Sequence, residues 1–167
     1  MNEPLVDPQP DEIELPPVDD VTQPWWDATR ERRLLVQRCN ACGSHQHYPR
    51  ALCAVRGSTG CGGTDLGWVE AAGTGTVDSF TVVHRGLPGF AAPYVVARVR
   101  LDLPGGERGV VLLTNLVDVD LSLAEGDDPA DLDARIRCDD AVSLRWRPLS
   151  DGRHLPVFGL DPRGGAA

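Results

Sequence analysis

The chain contains no lysine; all sixteen of its basic residues are arginine. That absence removes several chemistries at once. A Walker A loop lacks its lysine, a Schiff-base enzyme lacks its amine, and no lysine general base is available. Neither GxSxG nor HExxH occurs, so the serine-hydrolase elbow and the zinc-protease helix are also missing. The glycine run GTGTVDSF at residues 73–80 is not GxGxxG and opens a strand instead of following one, which reads as a bulged strand start. No apolar stretch approaches the length of a membrane span. The first residues, MNEPLVDPQPDEIELPPVDD, have no basic start and no apolar run, which predicts no signal peptide and a cytoplasmic protein. Aromatics make up only 5% of the chain while glycine (18) and proline (14) abound, favouring short strands and many turns over long helices.

Charge is unevenly spread. Residues 1–20 hold seven acids and no base, and residues 118–133 hold another seven acids and no base. Setting those fourteen aside leaves eleven acids against sixteen arginines, so a mildly cationic body lies behind the formal charge of −9. Such a body suits an anionic small ligand or an acidic partner surface.

What the chain does have is a cluster of thiols. Four of its five cysteines, Cys39, Cys42, Cys53 and Cys61, fall in RCNACGSHQHYPRALCAVRGSTGCGG, with Cys138 far downstream. A pair two residues apart, a return loop, then two more thiols reads as a tetrahedral thiolate site, with zinc ahead of iron on residue type. Two disulfides are the alternative, but they need an oxidising compartment to which nothing in the chain points. The second interval is seven residues instead of two, and the glycines at 57, 60, 62 and 63 give it room to close. His45 and His47 stand in reserve as ligands. Binding free energies of roughly 10–16 kcal/mol in small zinc modules would fold a region with little apolar core of its own.

The remaining organisation follows from periodicity. Residues 1–20 are read as a disordered acidic arm. Thr22 and Pro24 mark a helix start, giving an N-terminal helix over 21–35 whose Trp25 and Trp26 await either a partner or the core. A zinc ribbon is expected over 36–68, an OB-fold domain over 69–160 and a tail over 161–167. Strands are expected near 75–84, 97–102, 109–116, 142–147 and 154–160. In the second, Ala97, Val99 and Leu101 alternate with Arg98, Arg100 and Asp102. Residues 110–113 form a continuous apolar run, expected to be a buried central strand. Five strands with a long insert before the fourth is the strand count of an OB barrel, and DPADLDARI within the insert suits a short helix. The fold class is therefore mainly β. Cys138, near the fourth strand, is taken as a small buried hydrophobe.

The segment from Trp25 to Gly43, the Pro-Arg after Tyr48, TVVHRGLPGFAAPYVVARVRLD at 81–102, LLTNLVDVD at 112–120 and LPVFGL at 155–160 together carry a resemblance. The chain resembles the family of acyl-CoA-associated proteins that join a rubredoxin-like zinc ribbon to an OB-fold domain, a domain of unknown function, from Trp25 to about Phe158. The family usually closes its metal site with a second two-residue spacing, from which the seven-residue interval departs; the acidic insert is a second departure. The resemblance implies an accessory subunit with one structural Zn2+ on the four cysteines and no catalytic residues. The partner it implies is a thiolase-like or lipid-transfer-protein-like aldolase, as in steroid side-chain degradation, or a hot-dog-fold enoyl-CoA hydratase. The arginine-, alanine- and glycine-rich composition suits a high-GC bacterium and so the steroid branch. A CoA thioester would meet His84, Arg85, Arg98 and Arg100. Two other functions share these parts. A single-stranded nucleic-acid binder needs stacking aromatics and clustered positive charge, which are sparse here. Electron transfer needs iron in the thiolates and a coloured protein.

Overall fold

The computed structural model describes residues 15–54, 61–86, 92–106, 108–122 and 128–162. Most of the expected acidic arm, part of the acidic insert and the end of the tail lie outside these residues.

The arm's last residues are seated. Arg153, 4% exposed, donates to the Pro16 carbonyl at 2.9 Å and to Asp151 at 2.5 Å, and its guanidinium lies 4.4 Å from the centre of the Trp26 ring. Asp19 Oδ1 accepts from the Thr22 N–H (2.8 Å) and the Val21 N–H (3.1 Å), turning the chain into helix α1, Gln23–Arg30. The helix is shorter than expected. Arg32 takes a left-handed backbone (φ 57°), its N–H bonds the Thr29 carbonyl, and the next N–H, of Arg33, reaches back to Ala28. That is a Schellman stop with arginine where glycine is usual. Leu34 and Leu35 therefore leave the helix, and Leu35 opens a strand. Trp25 and Trp26 are core residues at 3% exposure each, the second of the two alternatives that the sequence left open.

A three-stranded antiparallel sheet follows, ordered β2-β1-β3 from β1 (Leu35–Cys39), β2 (His45–Gln46) and β3 (Leu66–Glu70). The chain then closes a five-stranded barrel: β4 (Thr74–Val83), β5 (Tyr94–Asp102), β6 (Arg108–Val117), β7 (Ala141–Pro148) and β8 (His154–Leu160), ordered β4-β5-β6-β8-β7. Among the described residues the lone parallel contact, β6 with β8, gives the connectivity of an OB barrel. The alternation on β5 holds, with Val95, Ala97, Val99 and Leu101 filling the core. A 3-10 turn over Pro129–Arg135 drops Leu132 and Ile136 into the core at 0% and 2% exposure.

Two expectations fail. The apolar run on β6 is not buried throughout: Val110 and Leu112 point inward, but Leu113 is 70% exposed, as strand alternation demands. Cys138 is exposed, because it sits in the turn before β7 where the Asp139 N–H, not the thiol, reaches the barrel at the Val77 carbonyl.

Candidate metal centre

The four cysteine sulfurs lie within 4.8 Å of one another, and none is in a disulfide. Cys39 and Cys61 Sγ are 3.5 Å apart, and Cys42 and Cys53 Sγ are 3.6 Å apart. Metal–sulfur bonds of about 2.3 Å at tetrahedral angles demand S–S edges of about 3.8 Å. The donor set therefore fits one tetrahedral ion, and all four thiolates would hold it.

Two knuckles present the sulfurs, and their backbone bonds repeat. In the first, the Gly43 N–H donates to the Cys39 carbonyl (2.8 Å) and the Cys39 N–H to that of Ser44 (2.9 Å). In the second, the Gly62 N–H donates to the Cys53 carbonyl (3.1 Å) and the Cys53 N–H to that of Gly63 (2.8 Å). Both turns need a left-handed glycine, Gly43 at φ 74° and Gly62 at φ 67°. The unequal spacings thus converge on one geometry at the sulfurs; residues 55–60 of the long second interval, with Gly57 and Gly60, lie outside the described residues.

Hydrogen bonds tune the thiols. Ser44, through its hydroxyl and its backbone, lowers the Cys42 pKa to about 6. The Gly63 N–H bonds Cys61 Sγ at 3.4 Å. A methyl group on Gly63 would stand 3.2 Å from that sulfur, tight enough to press on the ligand.

Beneath the second knuckle lies a buried amide pair that the sequence did not mark out. Gln46 donates to the Gln37 side-chain carbonyl (2.8 Å) and to the Leu52 carbonyl (3.1 Å), and accepts from the Ala54 N–H (2.9 Å). Gln37 accepts from the Arg50 N–H (2.8 Å) and donates to the Arg50 carbonyl (3.1 Å). Gln46 therefore grips the backbone on either side of Cys53. Two glutamines nine residues apart look like ordinary surface residues; only the β1–β2 pairing, which sets Gln37 opposite Gln46, reveals the network.

The histidines in reserve are not ligands, since among the described residues the metal-ligating cluster holds only the four cysteines. His47 packs against Trp25 and Tyr48, with ring centres 5.7 Å and 5.6 Å away. Burial lowers its pKa to about 4. His84 and Arg85 are exposed just beyond β4. Arg98 and Arg100 stand on the outer face of β5 and both turn to Asp78, Arg98 at 3.5 Å. Asp78 is the extra residue of a β-bulge between Val77 and Ser79, which aims its carboxylate at those two guanidiniums. The structure thus groups His84 with Arg85 and Arg98 with Arg100, with the second pair neutralised in part.

Residues 26–67 match the family model for "ChsH2, rubredoxin-like zinc ribbon domain", and residues 68–147 match that for "ChsH2, C-terminal OB-fold domain". The solved "Ltp2-ChsH2(DUF35) aldolase" contains a chain 35% identical, superposing with a TM-score of 0.63 over 87% of this chain and 98% of that one. This chain belongs to the ChsH2 (DUF35) family. A DUF35 protein of unknown function from Sulfolobus solfataricus shares the fold at 16% identity and a TM-score of 0.52, over 85% of this chain and 86% of that one. A "Probable enoyl-CoA hydratase alpha subunit" from Thermomonospora curvata is 42% identical over 135 residues, 80% of this chain and 35% of that protein. The chain thus spans about a third of that relative's length. The boundary between the two ChsH2 models falls within β3, the strand that carries the chain from ribbon to barrel. Among the described residues, no helix is long and apolar enough to cross a membrane.

Proposed function

We propose that this chain is the accessory subunit of an acyl-CoA aldolase complex, docking on a thiolase-fold partner that performs retro-aldol cleavage of a hydroxyacyl-CoA. The observation that carries this reading is the likeness to the ChsH2 chain of the Ltp2-ChsH2 aldolase, which the match covers almost end to end. Site chemistry supports it. Four thiolates complete a tetrahedral shell and leave no position for an activated water. Zinc is the ion the donor set favours, and when bound it supplies a cross-link between the two knuckles, not a Lewis acid. Arg85, exposed beside His84, is the remaining arginine for a CoA phosphate, since Asp78 already engages Arg98 and Arg100. That same engagement argues against a nucleic-acid groove across β5, which would need those charges free.

A second reading places the module beside an enoyl-CoA hydratase, on the strength of the stretch shared with the Thermomonospora curvata subunit. Affinity purification of the tagged chain from its native host separates the two. A thiolase-like polypeptide in equimolar amount, with aldolase turnover that needs both chains, is the expected result. Recovery of a hydratase instead selects the second reading, and turnover of a thioester by this chain alone overturns both. Cys39→Ser and Cys42→Ser are expected to unfold the ribbon and abolish co-purification; normal assembly by either variant would show that the ribbon is not the docking module.

A further inference from the structure

An open groove of about 310 Å3 lies along the seam between β6 and β8, bounded also by α1 and by the ribbon. The seam exists because β6 and β8 share ladder pairs only at Leu116–Phe158 and Val117–Gly159. In the groove one side-chain bond joins them, Thr114 Oγ1 donating to the Pro156 carbonyl at 2.7 Å, and Pro156 has no N–H to offer in return. Over Leu112–Asn115, β6 therefore has no ladder partner on that side among the described residues. Such an edge is a template for an added strand.

The lining suits a peptide. Leu113, 70% exposed, and Tyr48, 43% exposed, offer apolar surface, while His47, Thr114 and Asn115 bring side chains of the kind that bond backbone amides. Among the described residues no aspartate, glutamate or arginine lines the groove. Arginines flank it instead: Arg98 lies opposite Leu113 on β5, and Arg147 opposite Leu155 on β7. One carboxylate, Asp78, serves both Arg98 and Arg100, so that cluster keeps a net positive charge.

The chain itself supplies an occupant. Pro16 lines the groove, its carbonyl held by Arg153 at 2.9 Å. Residues 1–14, which precede the first described residue, carry five acids and no base. From Glu12 to Leu15 acid alternates with aliphatic, the period of a strand with one charged and one apolar face. Four extended residues span about 13 Å, the length of Leu112–Asn115.

We infer that this groove seats the chain's own N-terminal segment, residues 1–14, which caps the open edge of β6, with Ile13 supplying the apolar contact and the neighbouring glutamates facing the flanking arginines. The cap keeps that edge and Leu113 from pairing with another chain. The inference is independent of the assembly reading, because groove and segment belong to one chain.

The test is hydrogen exchange on the full-length, metal-loaded protein, read by mass spectrometry. Amides of residues 11–14 are expected to exchange at least tenfold more slowly than in a synthetic peptide of residues 1–17. Leu113→Asp, a change at an exposed position, should return them to the peptide rate, and Ile13→Asp should speed exchange at Leu112–Asn115. Exchange of residues 11–14 at the peptide rate in the unaltered protein would overturn the inference, as would either folded variant leaving exchange unchanged. Protection that appears only as concentration rises, together with a dimer in light scattering, assigns the groove to a second copy and overturns it too. So does protection of Leu112–Asn115 that arises only when a thiolase-fold partner is added. Ile13→Asp leaves the barrel's own sequence intact, so a misfolded Leu113→Asp protein does not rescue a failed result. The deciding comparison needs no partner, so its failure leaves the assembly reading standing.

Discussion

At Gly75 a single hydrogen in place of a methyl group lets β4 close on β5. A Cβ there would stand 2.4 Å from the Arg100 carbonyl oxygen, a backbone atom that cannot step aside. Gly75→Ala is expected to destabilise the barrel by about 2–3 kcal/mol, read as a lowered denaturation midpoint. His47 makes a pH-dependent contribution of definite sign. Its folded pKa of about 4 lies below the ordinary 6.5, so between those values the unfolded chain binds the extra proton. Stability is therefore complete above about pH 6.5 and declines as the pH falls towards 4. The decline should amount to roughly 3 kcal/mol, and denaturation of His47→Gln across the same range should show a flatter profile. Single residues were also where the sequence misled. Leu113 sits in an apolar run that looks buried, yet its parity on β6 turns it outward. Trp25 and Trp26 follow no helical stripe because neighbours on both sides, the ribbon and the barrel, bury them together.

Among the elements, the five barrel strands were legible, while the ribbon strands β1 to β3 and the helix end were not. Alternation on β5 and β7 and the short apolar β8 carry a period-two signal that needs no partner to read. The helix stops at Arg32, where the left-handed turn expected of glycine is taken by arginine, so no local residue announces it. The four ligands were visible as thiols, but the equivalence of their knuckles was hidden by the unequal spacing and appears only in the paired backbone bonds. The Gln37–Gln46 pair was invisible for a related reason: its role depends on register. Gln46→Leu removes the grip on Leu52 and Ala54 beside Cys53. It is expected to weaken metal binding 10–100-fold in competition with a chromophoric chelator, with the cobalt-substituted spectrum altered. An unchanged affinity would leave the network with no bearing on the site.

For the whole molecule, stability divides between an ion-tied ribbon and a barrel with its own core. Among the described residues from β1 to the second knuckle, the buried apolar ones are Val36, Cys39, Pro49 and Cys53, whereas the barrel fills its interior with the side chains of five strands. Stripping the metal with a strong chelator is expected to abolish hydrogen-exchange protection in β1 to β3 while β4 to β8 stay protected. Simultaneous loss in both would show one cooperative unit. The barrel's class was legible from strand count and from the insert before β7, but the neighbour order was not, since the parallel β6–β8 contact joins strands far apart in sequence.

Because the Cys53 carbonyl and N–H are both clamped to Gly62 and Gly63, the two ends of the intervening loop are moored independently of its length. Evolution can therefore lengthen or shorten that loop as a free parameter, and an engineer can splice a fluorophore or epitope into it while the sulfurs stay where they are.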